Sequence, residues 1–148
     1  MSNRHTLPIA VTHRVRDTCL CLHVQRAARA LARRYDEALR PLGLTSGQFS
    51  LLMSLNRAQV PSIGQVSAVL AMDRTTLNAN LKPLERRRLL TVSVDDADRR
   101  GRRLALTPAG RALLVRALPV WKRTQAATER LLGRSNRDAL RSDLRKLS

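Results

Sequence analysis

Between Asp73 and Leu84 the chain sets Arg74, Thr75, Thr76, Asn78 and Asn80 among leucines at 77, 81 and 84. The leucines are spaced 4 and 3 apart, so they share one face of a helix and leave the polar side chains on the others. Short hydroxyls and amides, with one arginine, are the groups that reach base edges in the major groove of a duplex. Lys82, Arg86 and Arg87 follow on the same helix and suit phosphates, which fix position without reading sequence. Further on, a short polar loop crowds together Arg99, Arg100, Arg102 and Arg103 beside Asp95, Asp96 and Asp98. Like charges that close repel one another unless the aspartates or a polyanion compensate. An arginine on the tip of a β-ribbon suits a narrow minor groove, whose potential is negative. For Arg102 and Arg103 the plainer reading is a self-neutralising solvated turn.

The thiols and imidazoles support less chemistry. Cys19 and Cys21 are two residues apart, a spacing that diverges by about 200° around a helix, so the pair does not easily close on itself. No structural disulfide and no metal are expected. Cys21, more than Cys19, is the candidate redox residue, since both lie near the start of a helix with Arg14, Arg16 and Arg26 nearby. Such surroundings favour the thiolate that peroxides attack. Free cysteine is also among the most buried residue types, and a packing role for Cys21 is the favoured reading. His5, His13 and His23 precede or begin this helix, and no His-Glu-x-x-His, Gly-x-Ser-x-Gly or P-loop spacing occurs. No enzyme and no cofactor are expected.

The elements that must position these residues follow from periodicity and caps. Over 18–42, Leu20, Val24, Ala27, Leu31, Tyr35, Ala38 and Leu42 recur every three or four residues, which predicts one amphipathic helix of about six turns, stopped by Gly43. Thr45 to Gln48 and Ser62 to Gln65 are capping boxes that open short helices. The second of these is expected to run through Met72, and Asp73 then caps a helix over 73–90. After Leu90 the period changes to two. Thr91–Val94 and Arg103–Leu106 alternate around the charged loop, which predicts a hairpin. Thr107-Pro108 opens a long helix to about Leu132, with a kink expected at Pro119. Ser135–Asp138 caps a terminal helix.

At 148 residues the chain is one domain, and its 28 Lys and Arg against 11 Asp and Glu give a net charge of +17. That balance points to a polyanion, either nucleic acid or an anionic membrane surface. Only three aromatics are present, Tyr35, Phe49 and Trp121, too scattered for a platform on which single-stranded bases stack. No apolar run is long enough for a membrane span, and the first residues break before any signal-peptide core develops. A cytoplasmic protein without a membrane partner is expected.

Two short helices joined at a single capping residue and followed by a basic hairpin have the form of a winged helix-turn-helix. Here the resemblance becomes specific. Gly-Leu-Thr-Ser-Gly-Gln-Phe (43–49), the segment 73–90, and Asp-Ala-Asp-Arg-Arg-Gly-Arg-Arg-Leu-Ala-Leu-Thr-Pro-Ala-Gly (96–110) resemble the MarR family of bacterial winged-helix repressors. The likeness runs from about residue 18 to the C-terminus. It implies that the 73–90 helix enters the major groove, that Asp98 orients Arg100 into the minor groove, and that the protein is an obligate homodimer. The position of Arg88 is usually glycine in the family. Cys21 is similarly placed to the reactive cysteine of the family's organic-hydroperoxide-sensing branch, and Tyr35 to its tyrosine partner, whereas Ser46 and Gln25 replace other aromatics.

The expected protein is therefore mainly α, with a DNA-binding region over 45–106, a two-stranded wing, and dimerisation helices over 18–42 and 108–148. The apolar stripes of those helices exceed what a small winged-helix core can bury, which independently favours a twofold dimer. The function expected is a sequence-specific repressor on double-stranded DNA, released from a palindromic operator by a small aromatic or anionic effector or by thiol oxidation. A sequence-tolerant architectural DNA binder is the alternative, and a basic membrane-surface protein a third.

Overall fold

The computed structural model describes residues 6–148, so His5 lies outside it. The elements are α1 (Ile9–Thr18), α2 (Leu20–Leu39), a 3-10 turn (Arg40–Leu42), α3 (Ser46–Ser54), α4 (Ile63–Leu70), α5 (Arg74–Arg86), β1 (Leu90–Val94), β2 (Arg102–Leu106), α6 (Pro108–Leu131) and α7 (Arg137–Lys146). This is a mainly α-helical fold with one antiparallel hairpin, in which Leu90 pairs with Leu106 and Val94 with Arg102. The caps fall where the sequence places them. Thr45 and Ser62 head reciprocal capping boxes with Gln48 and Gln65. The Asp73 carboxylate accepts from the Thr76 amide at 2.8 Å, and the Thr107 hydroxyl accepts from the Gly110 amide at 3.0 Å. Within the expected terminal cap, Asn136 is the residue that accepts, from the Ala139 amide.

Three boundaries differ from the sequence reading. The helix expected over 18–42 is interrupted at Cys19, whose backbone is extended (φ −70°, ψ 109°) and whose Sγ accepts from the Leu22 amide at 3.5 Å. A polarizable sulfur acts as the cap there, and α1, which has no buried residue, precedes it. The helix expected to reach residue 90 ends at Arg86, because Arg88 turns left-handed (φ 57°) and the Leu89 amide donates back to the Leu84 carbonyl. The helix expected through Met72 ends at Leu70, followed by Ala71, also left-handed at φ 50°. α6 runs through Pro119 without a break.

The core lies where the end of α2, α3, α5 and the hairpin converge, with Leu39, Leu52, Leu77, Leu84 and Leu104 all fully buried. The first turn of α6 lies flat on the chain leaving α5. A Cβ at Gly110 would stand 2.0 Å from the Leu89 carbonyl oxygen. Away from this core the helices are thinly covered. Leu20, Leu131 and Leu147 are about two-thirds exposed (71, 67 and 65 %), and α7 buries no residue. α7 is tied back through charge, with Arg141 and Arg137 reaching Glu129 of α6 at 3.3 and 3.9 Å.

Candidate nucleic-acid interface

α4 and α5 meet at the Ala71–Asp73 turn, which the Ser67 hydroxyl closes by donating to the Met72 carbonyl at 2.6 Å. α5 lays Leu77, Leu81 and Leu84 on the core and turns Thr75, Asn78, Lys82 and Arg86 outward. These four are spaced 3, 4 and 4 apart, a single stripe along the helix. They and Arg74 are exposed, and among the described residues their side chains make no hydrogen bond or ion pair. Two neighbours on the sequence-derived set are engaged within the protein. The Thr76 hydroxyl donates to Asp73 at 3.0 Å. The Asn80 amide donates to the Thr76 carbonyl at 3.0 Å, and its Oδ1 lies 3.1 Å from where a Cβ on Gly47 would stand.

Arg87 departs further from expectation. Its guanidinium turns away from the outer stripe and donates to the carbonyls of Gly43 and Leu42. Read as a phosphate contact from its neighbours Arg86 and Lys82, it is instead a tie between α5 and the corner after α2. The signal that was available is Gly43 itself: a left-handed residue ending a helix leaves carbonyls without intrahelical partners.

The wing tip is organised by its own carboxylates. Asp95 accepts from the Ala97 amide at 3.0 Å and Asp98 from the Arg100 amide at 3.0 Å, while the Gly101 amide donates to the Asp98 carbonyl. Asp98 thus holds the backbone of Arg100. Arg103 is locked, pairing with Asp95 at 3.2 Å and donating to the Val60 carbonyl at 2.7 Å. Arg102 curls onto the carbonyls of Arg99 and Gly101. The guanidinia of Arg99 and Arg100 remain exposed and unpaired among the described residues. The Ala97 amide, with Arg103 adding to it against the opposing effect of burial, holds the Asp95 carboxyl below the ordinary carboxylate range.

The cysteine reading is corrected in one respect. Cys21 is exposed and Cys19 half-buried, both as free thiols, so Cys21 does not pack into the core of the chain. Tyr35 lies fourteen residues along α2 from Cys21, about 21 Å at helical rise, and its hydroxyl donates to Gln125 of α6 at 2.5 Å. Within the chain the redox set is not assembled. Among the described residues no group of three or more His, Cys, Asp or Glu is placed to hold a metal ion, and no helix is long and apolar enough to cross a membrane.

A cavity of about 300 Å³ opens between α2, α3 and α6, lined by Leu31, Ala32, Tyr35, Ser46, Phe49, Ser50 and Trp121. Its lining includes three rings and two serine hydroxyls, and no charged residue.

Helix-turn-helix, wing and flanking long helices have counterparts among solved structures. The M. tuberculosis transcriptional regulator MosR, in complex with DNA, superposes with a TM-score of 0.77 at 37% identity, covering 87% of this chain and 92% of that one. Residues 42–101 match the profile of the MarR family. The chain belongs to the MarR family. Two further relatives support this membership. The repressor CouR, bound to a 23-mer DNA duplex, is 32% identical with a TM-score of 0.77 over 90% of this chain and 94% of that one. Bordetella bronchiseptica BpsR, whose DNA binding is regulated by 6-hydroxynicotinic acid, is 30% identical with a TM-score of 0.76 over 88% and 93%. No curated protein matches the chain in sequence. MarR-family regulators are non-catalytic.

Proposed function

We propose that this MarR-family chain is a homodimeric, sequence-specific DNA-binding transcriptional regulator, acting as a repressor. The observation that carries the reading is the unpaired stripe Thr75, Asn78, Lys82 and Arg86 on α5, set beside the unpaired guanidinia of Arg99 and Arg100 on the wing. Thr75, Asn78 and Arg74 would face base edges, Lys82 and Arg86 phosphates, and the wing arginines the minor groove. Thr76, Asn80, Asp98 and Arg102 support those groups from behind by fixing cap, helix and tip. MosR and CouR, both solved on DNA, lend the docking mode.

Dimerisation is supported by surface area. The protomer exposes 11055 Å², against about 7,600 Å² for a compact folded chain of this mass. Exposed apolar side chains stand on α1 (Ile9, Val15), the start of α2 (Leu20), the end of α6 (Leu131) and α7 (Leu140, Leu144). A twofold partner covering them would place two reading helices about 34–36 Å apart, one helical turn of DNA.

The uncharged, ring-lined cavity is suited to a small aromatic effector and provides no cation for an anionic one. CouR has been solved with p-coumaroyl-CoA, and BpsR responds to 6-hydroxynicotinic acid. Thiol oxidation is a second route to release, favoured by the exposure of Cys21 in the first turn of α2.

The test is binding to promoter fragments flanking the protein's own gene, compared with random duplex and anionic vesicles at one fixed salt concentration. A dimer that prefers one inverted repeat with half-site centres about 10–10.5 base pairs apart supports the reading. Equal affinity for all duplexes makes it an architectural binder, and preference for vesicles rejects both.

A further inference from the structure

We propose that Arg87 is the positioning residue that fixes the reading helix to the corner after α2, and that an occupant of the Tyr35–Phe49–Trp121 cavity reaches the DNA-facing surface through it. The inference rests on the DNA-binding reading above and adds the route by which that surface is regulated.

α5 is held to the rest of the protein mainly by leucines. Apolar contact is non-directional, so it fixes depth better than tilt. The Arg87 guanidinium is directional, a planar fork that places its two donors on the adjacent carbonyls of Leu42 and Gly43. Gly43 permits that approach, since a Cβ there would stand 3.3 Å from the Arg87 Nη2. The corner it grips is continuous with both sides of the cavity. Upstream lie Leu31 and Tyr35 on α2; downstream lie Ser46, Phe49 and Ser50 on α3. The two sides are bound together where the Ser46 amide donates to Asp36 at 2.6 Å. An occupant that parts α2 from α3 therefore moves the two carbonyls, and Arg87 carries the movement to the last turn of α5. The next residue, left-handed Arg88, accepts the Thr107 hydroxyl through its carbonyl at 2.7 Å, so the same joint adjoins the cap of α6.

The experiment places an aromatic ring in the cavity covalently. In a Cys19→Ser, Cys21→Ser background, Ser50→Cys is modified with benzyl methanethiosulfonate, and affinity for the preferred duplex is measured with Arg87, Arg87→Lys and Arg87→Met. With Arg87 present the adduct is expected to lower affinity about tenfold or more, within the usual range of allosteric coupling. With Arg87→Met the same adduct should change it by less than about threefold, and Arg87→Lys, which keeps a donor, should fall between. A merely structural arginine would lower affinity without altering the adduct's effect. Equal adduct effects in the Arg87 and Arg87→Met proteins overturn the proposal, as does an adduct with no effect beside Arg87. Should Arg87→Met fail to fold, Arg87→Gln carries the same comparison. Failure of the unsubstituted protein to prefer any duplex sinks the DNA-binding reading instead.

Discussion

Arg103 and Asp95 face each other across the mouth of the wing at 3.2 Å, and the same guanidinium donates to the Val60 carbonyl in the chain entering α4. One side chain therefore ties the hairpin to the helix-turn-helix, which the Leu104 amide reinforces by donating to the Pro61 carbonyl at 3.0 Å.

Acid should loosen this joint. The Asp95 carboxyl is held low by the Ala97 amide and by Arg103, Asp73 by the amide and hydroxyl of Thr76, and Glu129 by Gln125 and Arg141. A carboxyl lowered by folding takes up its proton more readily when unfolded, so its stabilisation is complete above the ordinary carboxylate range and is lost as pH falls through the lowered values. The melting temperature is expected to drop on acidification below about pH 4. Asp95→Asn should lower it at neutral pH and flatten that decline. An unchanged acid slope in Asp95→Asn removes Asp95 from the account.

Gly110 admits no side chain, because the Leu89 carbonyl occupies the space of its Cβ. Gly110→Ala is expected to cost about 3 kcal/mol or more, as backbone must shift. Urea unfolding of the purified variant measures it.

The reading helix is bracketed by two left-handed residues that are not glycine, Ala71 and Arg88. Such a backbone costs an L-residue about 1–2 kcal/mol, partly offset by the greater unfolded freedom of glycine. Ala71→Gly and Arg88→Gly should each stabilise by roughly 0.5–1 kcal/mol, read as a higher denaturation midpoint with the slope unchanged. Destabilisation at either position contradicts the assignment of strain.

On DNA the outward residues should separate by role. Asn78→Ala is expected to relax preference at particular base pairs by about 1–3 kcal/mol. Lys82→Ala should weaken all sequences alike and reduce the salt slope by about one. Arg100→Ala should act through A·T content and groove width. Thr76→Ala and Asn80→Ala, whose side chains are engaged within the protein, should lower stability and leave base preference largely intact. A wing variant that binds as tightly as the parent at 0.15 M salt would exclude the hairpin from the interface.

Oxidation offers a separate check. If exposed Cys21 is the sensing thiol, organic hydroperoxide should release the parent and Cys19→Ser from DNA while sparing Cys21→Ser. Binding that survives full thiol modification leaves the cysteines without a regulatory role.

Caps and periodicity made most of the fold legible, because a serine, threonine or aspartate before a leucine stripe has few other uses. The breaks were harder to read. Cys19 as a cap, Ala71 and Arg88 as left-handed residues, and α1 without a buried face all depart from the residue types that usually announce such features. At the candidate site the composition of α5 identified the helix, yet composition could not say which polar residues point outward. Asn80 is taken up by the Thr76 carbonyl one turn back, and Arg87 by carbonyls more than forty residues away in sequence. The long-range partners of Arg87 leave no trace within α5 itself.

The wing tip has its shape before any duplex arrives. Asp95 and Asp98 fold the turn on itself, so the backbone entropy of ordering the segment that carries Arg99 and Arg100 falls largely on folding, and association has only their free side chains to order. Encounter then requires no refolding of the tip, and differences between good and poor DNA sites should appear in how long the complex lasts more than in how fast it forms.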